Sequence, residues 1–252
     1  MNPLAEFRYF AVALGYFTRM PVPRSISGAS VELAHAARYF PLVGVCVGAL
    51  AALVHLAASR VWPPGIAALL SIAATLAATG ALHEDGLADS CDAFGGGYTR
   101  DDVLRIMRDS RIGTFGAAAL VVALALKWQA LAAMPPARAA WTMIAAHAGS
   151  RALAASLLVT LDYVRAEGRA RPVAQRMRAR AFAFAAACGL PWLFWPDWRA
   201  GALALAVMLV LRAGIARYLV KRIGGYTGDC LGFAQQVFEL AIYLTVLGWI
   251  SF

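Results

Sequence analysis

The sequence predicts an all-α, polytopic transmembrane helical bundle of about seven to eight helices, formed by a single integral membrane domain over residues 1–252. Hydrophobic residues make up 61% of the chain and charged residues 15%, with a mean hydropathy of +0.65. Soluble domains average about 45–50% apolar and 25% charged residues. The apolar residues also form runs long enough to cross a hydrocarbon core of about 30 Å. These runs are rich in alanine and leucine and lack strand alternation, which favours helices over a β-barrel.

Seven apolar runs are long enough to span a bilayer, and short polar loops separate them. In chain order they are 39–59, 65–82, 112–134, 139–161, 181–195, 201–220 and 233–252. Segment 4–18 is an eighth candidate. At about 1.5 Å per residue it is short for a full crossing, so a location in the membrane interface stays open. Arg8 interrupts it and no small-residue cleavage site follows, so we expect it to remain in the mature chain.

The basic residues indicate an orientation in the membrane. If all eight segments cross, loops 19–38, 83–111, 162–180 and 221–232 share one face and carry fifteen Lys and Arg residues, against three in the loops of the other face. The positive-inside bias then places the four long loops in the cytoplasm. This topology accounts for the net charge of +9 without a nucleic-acid partner. The four cysteines form no C-x-x-C pair, so we expect free thiols.

An acidic motif follows the second long run, at residues 83–97. If the preceding helix continues through it, Asp85, Asp89 and Asp92 stand at i, i+4 and i+7 on one face. Clustered carboxylates repel unless a cation lies between them, and hard oxygen ligands suit Mg²⁺. A solvated acidic loop is the alternative. The glycine triplet at 95–97 is expected to release the chain into a tight turn.

Residues 100–116 carry arginines at spacings of three. Their apolar positions predict a short amphipathic helix on the membrane surface that presents Arg105, Arg108 and Arg111. Guanidinium groups suit phosphate oxygens. For Arg100 and Arg105, contact with anionic lipid headgroups is an equal alternative.

A glycine-rich loop at 221–232 lies on the same predicted face. Gly224 and Gly225 belong to a group of four glycines within nine residues, and backbone amides exposed there could hold a phosphate. A glycine-rich loop alone is weak evidence. Asp229 reaches the same face as the Asp85 motif, which makes a joint metal site plausible.

Several ionisable residues interrupt the apolar runs, where an unpartnered charge is costly. His147 and Arg151 are four residues apart and share a helix face. Arg151 is predicted to contact substrate phosphate or, alternatively, to pair with an acid such as Glu239. For His55 and Lys127 the sequence favours snorkelling or packed polar side chains.

Three motifs in this order resemble the cobalamin synthase family of adenosylcobinamide-GDP ribazoletransferases. They are HEDGLADSCDAFGGG at 83–97, IMRDSRIGTFG at 106–116 and IGGYTGDCLGF at 223–233, the last followed by Gln235, Gln236 and Glu239. Segments 17–23 and 39–44 resemble that family too. The resemblance therefore covers essentially the whole chain.

The resemblance implies a bacterial inner-membrane enzyme that joins adenosylcobinamide-GDP to α-ribazole or its 5′-phosphate and releases GMP with Mg²⁺. It implies that small-molecule substrates meet at loops facing the cytoplasm. The aspartates Asp85, Asp89 and Asp92 are then expected to bind Mg²⁺, and Asp89 and Asp229 to act in catalysis, Asp229 by completing the metal shell or accepting a proton. The expected substrate-binding residues are Arg108, Ser110, Arg111, Arg151, Gly224 and Gly225.

Two other functions compete with this interpretation. A CDP-alcohol phosphotransferase has a DG-x-x-A-R pattern, whereas here Asp85-Gly86-Leu87-Ala88 is followed by Asp89 instead of arginine. A cation transporter would place its carboxylates near the bilayer midplane instead of at one face. Homo-oligomerisation and the preferred base of the ribazole stay open.

Overall fold

The computed structural model describes residues 3–22, 30–165 and 176–251, and their secondary structure is helical. The helices are α1 (Pro3–Phe17), α2 (Ser30–Ala36), α3 (Phe40–Ala58), α4 (Pro64–Thr79), α5 (Leu82–Gly96), α6 (Arg100–Ile106), α7 (Thr114–Ala133), α8 (Pro136–Thr160), α9 (Ala179–Gly189), α10 (Trp198–Ile223) and α11 (Gly228–Ser251). Short 3₁₀ turns, Ala37–Tyr39 and Pro191–Phe194, precede α3 and follow α9. Within the described ranges there is no strand, which confirms the predicted all-α class.

Five segments of the described chain are long and apolar enough to cross a membrane: Leu33–Ala58, which includes α3, and the helices α7, α8, α10 and α11. A sixth is formed if α4 and α5, bent by 88° at their junction, count as one broken span. The central helix is α8, whose apolar window is 89% buried inside the protein. The predicted bundle is confirmed.

The predicted span 181–195 is not one long helix. Only Ala179–Gly189 is α-helical before the 3₁₀ turn, because Pro191 lacks the N–H that would continue the helical hydrogen bonds. The segment still runs from one end of α8 to the other. Its start is held by a hydrogen bond from Met177 N to Leu158 O, and Trp141 Nε1 donates to the carbonyl of Trp192, 3.3 Å away.

Helix α1 lies across one end of the bundle. Near its start Glu6 forms an ion pair with Arg38, and near its end Phe17 stacks on Phe40 with ring centroids 4.3 Å apart. Residues 38 and 40 are both at the beginning of α3. Since both ends of α1 contact the same end of the bundle, the structure favours the interfacial alternative for segment 4–18.

The helix that precedes the acidic motif does not continue through it, so the condition on which the shared face was predicted is not met. Gly80 and Ala81 both have left-handed backbone angles, with φ of +64° and +56°, and a left-handed residue ends an α-helix. Asp85, Asp89 and Asp92 nevertheless share a face, because α5 contains all three. The glycine triplet at 95–97 does end the helix: α5 stops at Gly96, and residues 97–99 connect it directly to α6.

A network of buried charges joins α5, α7, α8 and α11. Lys127 Nζ lies 2.8 Å from Glu239 Oε1 and 3.8 Å from Glu84 Oε1. On α8, Arg151 Nη1 lies 3.1 Å from His147 Nδ1, and His147 Nδ1 is 3.3 Å from Glu239 Oε2. Two cations thereby accompany two carboxylates in the interior, which is how buried charges are tolerated.

Two glutamine side chains connect the charged groups of this network. Gln235 Nε2 donates to Glu239 Oε2 at 2.6 Å and lies 3.0 Å from Ser150 Oγ on α8. Gln236 Nε2 donates to Glu84 Oε1 at 3.0 Å, and its own Oε1 accepts from Lys127 Nζ at 3.1 Å. The network therefore continues from α5 to α8 through hydrogen bonds.

The structure distinguishes the two alternatives that the sequence left for Lys127 and His55. Lys127 is a packed polar side chain and does not snorkel, because it is only 4% exposed and is paired with Glu239. His55 is packed inside the bundle, as expected.

We predict that Lys127→Met destabilises the protein by roughly 3–5 kcal/mol, because Glu239 is left buried beside an apolar side chain. Thermal unfolding of the detergent-purified protein measures the change. Lys221→Met is the matched control, since Lys221 is exposed and should tolerate the same substitution. The double variant Lys127→Met/Glu239→Gln should cost less than the sum of its single changes. Equal stability of Lys127→Met and Lys221→Met would contradict the network.

Candidate active site

A cavity of about 290 Å³ opens at the end of the bundle where α5 and α11 begin. Its lining includes the charged residues Asp85, Arg165 and Asp229. It also includes the aromatic residues Tyr16, Phe17, Phe40 and Tyr163, together with His83. The cavity thus presents charged groups and an apolar wall to the same ligand.

Close contact between α5 and the start of α11 brings two of the predicted aspartates to this cavity. A Cβ on Gly86 would lie 2.8 Å from the carbonyl oxygen of Asp229 and 3.0 Å from Cα of Gly232, so only glycine fits there. Asp85 is exposed and Asp229 half-buried, and both line the cavity. The structure therefore brings the two motifs together at one face, as predicted.

The three aspartates of α5 have different surroundings. Asp89 is half-buried and lies within electrostatic range of Asp85 and Asp229. Both carboxylate oxygens of Asp92 accept backbone hydrogen bonds at the start of α7, from Gly113 N at 2.7 Å and Gly116 N at 2.8 Å. An acid at that position stabilises a helix N-terminus. Asp92 therefore links α5 to the start of α7 through these two hydrogen bonds.

Arg165 is the cationic residue among the described residues that line the cavity, and its role was not predicted from the sequence. Its Nη2 lies 2.8 Å from Asp229 Oδ2 and donates to the carbonyl of Met107 at 3.2 Å. A short backbone pairing holds the segment in place, since Tyr226 N donates to Asp162 O and Val164 N to Tyr226 O, both at 3.0 Å. No motif surrounds Arg165, so only the fold reveals its position. Residues 166–175 of the 162–180 loop lie outside the described residues.

Gly224 and Gly225 have clear backbone roles. Gly224 ends α10 with φ of +79°, a conformation that glycine adopts without strain. A Cβ on Gly225 would lie 2.1 Å from the carbonyl oxygen of Asp162, so glycine is required where the two loops meet. The predicted phosphate contact of these residues remains a prediction.

The loop after α6 is exposed. The short helix expected in 100–116 is present as α6, and Val103 and Met107 are buried beneath it. Arg108 and Ser110 are exposed. Arg111 is bound to its neighbour Asp109 at 2.7 Å, and hydrogen bonds from Arg111 lower the pKa of Asp109 to about 2. Phosphate contact by Arg108, Ser110 and Arg111 stays a prediction.

Arg151 lies behind the cavity. It is 1% exposed, and its guanidinium carbon is 5.6 Å from the ring centroid of Phe40. The ring of His83 stacks on Phe40 from a centroid distance of 5.6 Å, and Phe40 and His83 both line the cavity. The structure thus places Arg151 in the buried network, and its contact with substrate remains a prediction.

The part of the chain that the structure describes contains no group of three or more His, Cys, Asp or Glu side chains that could hold a metal ion by themselves. The expected ligand set of Asp85, Asp89 and Asp92 is therefore not a closed cage of protein ligands. Its role in binding Mg²⁺ stays a prediction.

Comparison with known proteins agrees with the motifs. Residues 9–247 match the family model described as cobalamin-5-phosphate synthase. An adenosylcobinamide-GDP ribazoletransferase of Ralstonia nicotianae is 56% identical over 245 residues, 95% of each chain. The enzyme of that name from Ralstonia pickettii is 53% identical over the full length of both chains, and one from Shewanella sp. is 43% identical over 96% of this chain and 94% of its own.

No solved structure matches the chain. The family match extends from α1 to α11 and includes every element that lines the cavity in the described residues. The chain belongs to the cobalamin-5-phosphate synthase family.

Proposed function

We propose that the protein is an adenosylcobinamide-GDP ribazoletransferase, which joins adenosylcobinamide-GDP to α-ribazole or its 5′-phosphate and releases GMP. The observation that carries the proposal is full-length similarity to proteins of that name. The cavity supports it, because carboxylates and a guanidinium meet at one apolar-walled site. The family match favours this activity over a CDP-alcohol phosphotransferase or a cation transporter.

The reaction requires a ribazole hydroxyl to attack the phosphorus that is bonded to the cobinamide oxygen. The bond from that phosphorus to the GMP oxygen breaks, and the hydroxyl proton leaves. We assign the proton to a carboxylate of the site, Asp89 or Asp229. Arg165, which lines the cavity, offsets negative charge on the phosphates. Phosphoryl transfer depends mainly on such positioning and electrostatics.

We propose Mg²⁺ as the metal and Asp85 and Asp89 as its ligands, with Asp229 able to complete the set. These residues fit the ion, because the side-chain carboxylates of Asp85 and Asp89 form no hydrogen bond or ion pair with described residues, whereas Arg165 pairs with Asp229. Mg²⁺ is usually held by one or two carboxylates plus substrate phosphates and water, so a cage is not needed. Bound there, the ion would neutralise charge on the phosphates. Asp92 would support the site by holding α7.

We place the protein in the bacterial inner membrane with the cavity facing the cytoplasm. Several residues that line the cavity belong to the four long loops predicted to share one face. These loops carry fifteen Lys and Arg residues, whereas the loops of the other face carry three. The positive-inside bias supports this orientation.

Asp89→Asn should lower turnover by about 10²–10⁴-fold, the range for loss of an acid–base group, with no loss of folded protein. The assay follows GMP release from adenosylcobinamide-GDP and α-ribazole by the purified protein over a range of Mg²⁺ concentrations. Asp101→Asn is the control, because Asp101 is exposed on α6. Wild-type protein that releases no GMP would refute the proposed function. Normal turnover of Asp89→Asn would remove Asp89 from the site.

Arg165→Lys should reduce kcat by about tenfold or more, since lysine keeps the charge but not the forked donors that pair with carboxylate and phosphate. Arg105→Lys tests the same change on the exposed face of α6 and should leave kcat unchanged. Thermal unfolding of both variants separates a folding defect from a catalytic one. An unchanged kcat in Arg165→Lys would argue against its contact with substrate.

Single cysteines at positions 100 and 138, introduced into a variant without the four native cysteines, should react from opposite sides of the membrane. An impermeant maleimide added to intact cells should label Arg138→Cys and spare Arg100→Cys until the cells are opened. Labelling of both positions from outside would refute the orientation.

A further inference from the structure

We propose that the 290 Å³ cavity holds the aromatic base of the ribazole acceptor, with His83 Nε2 as its hydrogen-bonding partner. The inference rests on the proposed function, because that function supplies a substrate with such a base. The inference assigns α-ribazole to this cavity and identifies His83 as a residue that recognises its base.

The cavity volume distinguishes the two substrates. Pockets for drug-sized ligands occupy about 300–1,000 Å³, so this cavity is at the lower limit and suits a nucleoside. Adenosylcobinamide-GDP carries a corrin ring, an adenosyl group and a guanosine diphosphate, and it cannot enter as a whole. Its phosphates can approach the lining residue Asp85 from outside, because Asp85 is exposed.

The lining of the cavity contains groups that match both parts of α-ribazole. Its aromatic residues include Phe17 and Phe40, whose stacked rings offer apolar surface to a flat heterocycle. Its charged residues, Asp85, Arg165 and Asp229, are the groups near which a sugar hydroxyl must be placed for attack on phosphorus. A ribazole with its base against the aromatic residues and its ribose near the carboxylates would satisfy both requirements.

His83 adds a specific polar contact. Its side chain is 3% exposed and lines the cavity, and its Nε2 has no hydrogen-bond partner among the described residues. A buried polar atom without a partner is costly, and this cost is removed when a ligand supplies the hydrogen bond. The ring stacks on Phe40, so its plane is already fixed.

Guanine is the competing aromatic base, since it is part of the other substrate. Its edge carries several donors and acceptors, each of which loses free energy if it is buried without a partner. The aromatic lining offers the hydroxyls of Tyr16 and Tyr163 and the Nε2 atom of His83, which are fewer polar groups than the guanine edge carries. A benzimidazole has a ring nitrogen and no exocyclic polar group, so it suits the cavity better.

The test compares His83→Phe, which keeps a flat ring but removes the nitrogen, with His83→Gln, which restores a polar atom near the position of Nε2. We expect the KM for α-ribazole to rise about tenfold in His83→Phe and to recover in part in His83→Gln. The KM for adenosylcobinamide-GDP should be unchanged. His55→Phe is the matched control, because His55 is equally buried and does not line the cavity.

A second variant fills the cavity. Leu82 lines it and is 39% exposed, so Leu82→Trp should fold and weaken α-ribazole binding. Leu70→Trp on α4 is its control, with the same exposed fraction. Calorimetric titration of α-ribazole into each purified variant, with GMP as the competitor, measures binding without turnover.

The outcomes separate the two proposals. Wild-type protein that binds α-ribazole but releases no GMP would refute the function and leave the cavity assignment standing if His83→Phe and Leu82→Trp lose binding. Active wild-type protein with unchanged α-ribazole affinity in both variants would refute the cavity assignment alone. Displacement of α-ribazole by GMP, or a raised KM for adenosylcobinamide-GDP, would assign the cavity to guanine instead. Absence of α-ribazole binding to the wild type would overturn the assignment.

Discussion

The interior of this bundle is organised by a balance of buried charge. Lys127 and Arg151 accompany Glu84 and Glu239, and neither water nor lipid can solvate these groups where they lie. Removing any one of them leaves an unmatched charge, which is far more costly than the pair is stabilising. The four residues belong to α7, α8, α5 and α11. The contacts within this network therefore restrict how these helices can rotate and slide against one another. Apolar packing alone would restrict these movements less.

This restriction extends to the cavity through α5. Neighbouring residues of that helix point in different directions, so that Glu84 reaches the network while His83 and Asp85 line the cavity. Once Glu84 is paired, the rotation of α5 is determined, and with it the positions of Asp85 and Asp89. Asp92 fixes the outer end of the same helix by capping α7. The buried network and the cap thus hold the carboxylates of the site from both ends.

Local patterns in the sequence were sufficient to predict the features that depend only on residues close together in the chain. The helical period alone places Asp85, Asp89 and Asp92 on one face, and α6 follows from the spacing of Val103, Ile106 and Met107. The bend at Gly80 and Ala81 was not predictable in this way, because it requires α5 to turn toward partners on α7 and α11. Arg165 was missed for the same reason. Its partner Asp229 is 64 residues further along the chain, and no local spacing connects them.

The distribution of partners explains which carboxylates are available for chemistry. Lys127 lies near Glu84, backbone amides of α7 bind Asp92, and Arg165 pairs with Asp229. Within the described residues, Asp85 and Asp89 have neither an ion pair nor a hydrogen bond of this kind. The carboxylates without a protein partner among the described residues are therefore those of Asp85, which lines the cavity, and Asp89, which lies one helical turn further along α5 within electrostatic range of Asp85. We propose that Asp85 and Asp89 would hold a divalent cation together with substrate phosphates, and the ion would offset the repulsion between the two carboxylates. Because the substrate would supply part of the ligand set, Mg²⁺ would not need a closed cage of protein ligands.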